Sequence, residues 1–103
     1  MKEQEYREFY NKASNSLKVA GDLQEIPELE LNERFATKLI FAFYYPYKNL
    51  VVVIMGKKAD PEEVKIKLLH ELLHASYPYL SELKIREATE TFWWAHKTGK
   101  FAV

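Results

Sequence analysis

A compact α+β domain, with helices packed on one face of a small sheet, is the fold class this sequence predicts. Three features carry that expectation. An N-terminal stretch repeats apolar residues at helical spacing, two β-rich runs follow around a short turn, and two well-capped helices close the chain. The 103 residues suffice for one domain with one modest core, so residues 1–103 are read as a single unit.

Taken in order, residues 2–20 read as a helix, because Tyr6, Phe9, Tyr10, Ala13, Leu17 and Ala20 fall on one face and Gly21 supplies a stop. Residues 22–34 contain Pro27 and alternate apolar positions only at Leu29 and Leu31, which suggests an irregular or extended connector. The runs FATKLIFAFYY and LVVVIMG, rich in aromatic and β-branched residues, predict two antiparallel strands joined at Pro46-Tyr47-Lys48-Asn49, with Gly56 ending the second. Asp60 as N-cap, Pro61 at the first helical position and Glu63 in the capping-box place start a helix that should reach about Tyr77. Pro78 stops it, and Ser81 caps a last helix over 82–97, followed by Gly99 and a short tail.

Composition removes several classes of function. Fifteen basic residues balance fifteen acidic ones, leaving no positive field for a phosphate backbone, so no nucleic-acid partner is expected. The absence of cysteine excludes disulfides, thiolate ligands and a cysteine nucleophile, so any metal must be held by His, Asp or Glu. The charged start MKEQEYREFY lacks the apolar core of a secretory signal, and the longest apolar run is broken by Pro46, Lys48 and Asn49. A soluble cytoplasmic protein without a membrane span is the expectation. It should be a monomer, with exchange of the C-terminal helix between copies as the alternative.

The chemistry concentrates in His70-Glu71-Leu72-Leu73-His74, an H-E-x-x-H pattern on the first of the two capped helices. Residues four apart share a helix face, so the two imidazoles can converge on one Zn2+ ion. Glu71, beside the first imidazole, is placed to take a proton from an activated water and deliver it to a leaving amine as the general base. Val64, Ile66, Leu68, Leu69, Leu72, Leu73 and Ala75 make this helix apolar almost all round. Two histidines and a glutamate inside such a helix are costly unless something compensates them, and a metal would compensate all three. The bland reading, histidines that merely satisfy core hydrogen bonds, suits a single histidine better than this full pattern.

A catalytic zinc needs a third protein ligand, and Glu82, Glu87, Glu90 and His96 follow the motif. In a simple antiparallel hairpin of the last two helices, Glu87 stands nearly level with the histidine pair. Glu90 and Glu82 lie about a turn away in opposite directions and His96 further still. Glu87 is therefore the chosen ligand, with Glu90 next. Tyr77 and Tyr79 could donate to a developing oxyanion, but ordinary packing is the stronger expectation in a chain with seven tyrosines.

HELLH followed by a glutamate-bearing helix, IREATETFWW, resembles the gluzincin metallopeptidases. The chain length, the strand pair before the motif helix and the short spacer resemble the minigluzincins of thermophilic prokaryotes, relatives of the catalytic domains of CAAX-protein and HtpX-like membrane proteases. The resemblance runs from about Phe35 to the end, and HELLH is its one specific motif. It implies a zincin-like minimal domain and a zinc-dependent endopeptidase, with His70, His74 and Glu87 as ligands and Glu71 as base. It also implies a strand beside the motif helix that pairs with an extended peptide substrate, and latency imposed by a C-terminal segment, here residues 97–103 with Phe101 as anchor. One departure is that Thr91 stands where larger relatives place an aspartate to orient a ligand histidine, leaving Glu90 or Thr91 as substitutes. The competing reading is a non-catalytic, zinc-stabilised module that docks a peptide.

Overall fold

The computed structural model describes residues 2–100, in the order helix, three strands, two helices. Helix α1 (Glu3–Val19) buries Tyr6, Phe9, Tyr10, Ala13 and Leu17, the apolar stripe expected of it. It stops where Gly21 takes a positive φ of 84° and the N–H groups of Asp22 and Leu23 return to the Leu17 carbonyl.

Strands β1 (Glu28–Phe35), β2 (Ile40–Tyr45) and β3 (Leu50–Gly56) form one sheet in the order β1-β3-β2. The antiparallel hairpin β2–β3 agrees with the sequence reading, its turn closing through Asn49 at a φ of 46°. The third strand is an addition. β1, read from sequence as a connector, pairs parallel with β3, with Leu29 opposite Val51 and Leu31 opposite Val53. Pleating explains its weak signal: Leu29 and Leu31 turn to the core, while Glu28 and Glu30 stay exposed. The same alternation puts Val51, Val53 and Met55 in the core and leaves Phe41, Phe43 and Tyr45 exposed on the other face.

Helix α2 (Pro61–Ser76) is the centre of the molecule, packed against α1, β2, β3 and α3. Its start is as expected: Asp60 accepts the Glu62 N–H at 3.2 Å and Pro61 opens the first turn. Helix α3 (Glu82–Lys97) begins with Ser81 accepting the Lys84 N–H at 3.3 Å. It lies antiparallel to α2, since Thr89 meets His70 near its middle and Lys97 reaches Glu62 at its end. Trp93 packs on the core edge-on to Phe9 while Trp94 is largely exposed, as two adjacent helical residues require. No helix among the described residues is long and apolar enough to cross a membrane. Of the tail expected to act in latency, the start turns back on α3, with Lys100 over the Trp94 ring, and residues 101–103 lie outside the described residues.

Gly56 ends β3 under the backbone of Thr37, and any Cβ there would collide with the Thr37 carbonyl. Gly56→Ala should therefore lower stability by about 3 kcal/mol in urea denaturation, because backbone, not a pliable side chain, has to move. A loss below about 0.5 kcal/mol would show that the segment before β2 can shift freely.

Candidate metal centre

The one-turn spacing of His70 and His74 brings their Nε2 atoms to 3.2 Å from each other on the face of α2 turned toward α3. Pro78 and the Ser81 cap swing the chain back so that Glu82, the first residue of α3, closes over them. Its Oε1 lies 2.8 Å from His70 Nε2 and its Oε2 lies 2.9 Å from His74 Nε2. The three donors fall within 4.8 Å of one another.

Glu82, and not the expected Glu87, is thus the carboxylate brought to the histidine pair. The two helices run antiparallel, Thr89 meeting His70 and Lys97 meeting Glu62, so Glu87 is nearly level with the histidines; its direction around α3 is what excludes it. Ile85 and Thr89 define the inward face of α3, and Glu82, three residues before Ile85, lies on the same stripe. Glu87 is two residues past Ile85, about 160° round the helix, and there it faces solvent and pairs with Lys84 at 3.6 Å. Glu90 borders the cleft beside the site without joining the donor cluster. His96 packs edge-on against Phe9 at 5.0 Å and is not in the donor cluster. Thr91 bonds the Glu87 carbonyl on the exposed side and supports neither histidine. Tyr77 donates to Asp22 at 2.9 Å, Tyr79 is exposed, and neither lines the cleft.

Glu71 lies beside the donors, with Oε2 4.0 Å from His70 Nε2, and its side chain is only 11% exposed. Burial pushes its carboxyl up to about 7, and the nearby Glu82 charge adds to this against Lys67 and a backbone hydrogen bond from Tyr44 on β2. Glu82 behaves in the opposite way. Burial works to raise it, but His70 and His74, by charge and by hydrogen bonding, outweigh that and hold it below the usual carboxylate range. His70 is lowered mainly by burial, which favours the neutral ring and its lone pair.

The cluster opens onto a cleft of about 800 Å³. Its far wall is β2, an edge strand, with Ala42, Phe43, Tyr44 and Tyr45 along the rim and His70, Glu71 and His74 on the floor. A scan against protein-family models finds no match, and searches of the curated proteins and of the solved structures find none.

The geometry of the cluster suits one zinc ion. Two donors bonded tetrahedrally at 2.0–2.1 Å lie about 3.4 Å apart; the Nε2 atoms are 3.2 Å from each other, and the Glu82 oxygens, at 2.8 and 2.9 Å from them, would draw back by about 0.5 Å to admit the ion. Two imidazoles and one carboxylate beside an open cleft are the donor types and number that catalytic zinc sites use, whereas closed structural sites take four protein ligands. Mg2+ and Ca2+ prefer all-oxygen sets.

The acidity of Glu71 has a consequence for stability. Its folded pKa, near 7, exceeds the unfolded value, so protein freed of metal by chelation loses stability as pH rises from about 4.5 to 7. Glu71→Gln should then be more stable than the native chain by about 3 kcal/mol above pH 7, with the gap closing below about pH 4.5. Urea denaturation across pH measures this; a gap that is constant with pH would show that Glu71 titrates normally.

Proposed function

We propose that this chain is a zinc-dependent endopeptidase of the gluzincin type. The observation that supports the reading most is the convergence of His70, His74 and Glu82 next to a buried Glu71 on the floor of an open cleft. His70, His74 and Glu82 are the residues that would hold the ion. When bound, zinc supplies Lewis acidity, which makes water a nucleophile near neutral pH and polarises a peptide carbonyl.

The rest is the work of the chain. Glu71, with an acidity close to neutrality, accepts a proton on its carboxylate as water adds to the peptide carbonyl and returns it to the departing amine. Bond by bond, the C–N linkage is replaced by C–O, and Glu71 ends unchanged. The free edge of β2 runs beside the cleft, so an extended substrate can add to it by main-chain pairing and present its scissile carbonyl over the donors. HELLH supports the same reading through its resemblance to minigluzincins, but that resemblance implies Glu87 as third ligand, whereas the proposal takes Glu82 in its place.

Metal analysis and peptide hydrolysis of five proteins test the proposal. Native protein, Glu87→Ala and Glu71→Gln should carry roughly one zinc each, and His74→Ala and Glu82→Ala should lose it. Glu71→Gln should lower peptide hydrolysis about a hundredfold or more with zinc retained. Hydrolysis undiminished in Glu71→Gln, or absent from the native protein across a peptide screen, would leave a zinc-stabilised peptide-binding module. Native protein that takes up no zinc even when it is added would remove both.

A further inference from the structure

We infer that Thr89 is a positioning residue for His70, selecting the ring tautomer that presents Nε2 to the ion; the inference rests on the zinc reading above. Thr89 sits on the buried face of α3, 4% exposed, with Oγ1 3.5 Å from Nδ1 of His70. The direction of that contact follows from the other partner of the hydroxyl. Oγ1 is 2.7 Å from the Ile85 carbonyl, an acceptor only, so the single hydroxyl hydrogen is committed there. Toward His70 the oxygen has lone pairs alone to offer. The ring must then supply the hydrogen, and the proton of the neutral imidazole resides on Nδ1.

That placement decides what the other nitrogen can do. With Nδ1 protonated, Nε2 carries a lone pair, and Nε2 is the atom 2.8 Å from Glu82 and 3.2 Å from His74 Nε2. In the neutral ring, lone pairs of His70 and Glu82 directed at each other at that distance repel unless a metal ion lies between them or a second proton on Nε2 makes the ring an imidazolium that bonds the carboxylate. Thr89 thus biases the cluster toward holding an ion and against closing on itself through an Nε2–H bond to the carboxylate. The helix geometry makes the device rigid. A threonine whose hydroxyl bonds the carbonyl one turn back has its rotamer set by the backbone, and burial denies the oxygen a competing water.

This role belongs to a residue that the motif does not mark. A neutral hydroxyl orients the ring without the charge an aspartate would bring, so the effect should fall at the weaker end of the range for groups that support a metal ligand.

Zinc affinity, measured by competition with a chelator, and the His70 Nδ1–H signal of zinc-loaded, 15N-labelled protein test the role together. Thr89→Val keeps the shape and removes the acceptor; it should weaken zinc binding about tenfold and leave Nδ1–H without exchange protection. Thr89→Ser should restore the signal and bring affinity within about threefold of native. If Thr89→Val binds zinc as tightly as native protein, with the same protected signal, while His74→Ala loses zinc, the Thr89 role is overturned and the zinc reading stands. Equal losses in the Ser and Val variants would overturn it too, because the hydroxyl would not be the cause. Native protein unable to bind zinc overturns the zinc reading and this inference together.

Discussion

Helix α2 has to be buried on nearly every side and still carry three polar side chains, and the rest of the structure is arranged around that conflict. Val64, Leu68, Leu69, Leu72 and Leu73 are fully buried against α1, the sheet and α3. His70, Glu71 and His74 share the remaining stripe, where unpartnered polar atoms would be costly. Two neighbouring elements contribute groups to that stripe: α3 gives Glu82 and Thr89, and β2 gives the Tyr44 backbone. The open cleft lies where these contributions meet.

Two glutamates at this site show how far environment separates chemically identical groups. Glu82 is half-exposed and faces two imidazoles, so it stays ionised and can act as a donor. Glu71 is enclosed and its carboxyl moves toward neutrality, where it can exchange protons. Pairs of acids pushed apart in this way mark a division of labour between a group that holds and a group that transfers.

Much of this was legible in the sequence, and the parts that were not share a cause. The ends of α2 and α3 could be read because capping is local: Asp60, Pro61, Pro78 and Ser81 act on backbone within a turn of themselves. β1 could not, because its partner β3 lies across an intervening strand and parallel pairing leaves no turn signature. The same distinction separates Glu82 from Glu87. Height along a helix follows from counting residues, whereas direction around it depends on which face packs inward, and Ile85 with Thr89 would have shown that face. Thr89 itself gives no signal in a motif, since its significance comes from one buried hydroxyl set between a backbone acceptor and a ring nitrogen.

All the donors come from a single helix hairpin, so their convergence requires closing only the short connector between α2 and α3. Contacts of such short sequence separation form early and at small entropic cost. The enclosure of Glu71 is different, because β2, which packs on α2 and borders the cleft, precedes α2 in the chain. Ion-holding geometry and proton-transfer acidity therefore arise from separate parts of the folding reaction. On the zinc reading, a partly opened molecule, with the β2–β3 hairpin lifted away, would keep its three donors together while Glu71 lost its enclosure, so that affinity and turnover would part according to how firmly one strand is seated.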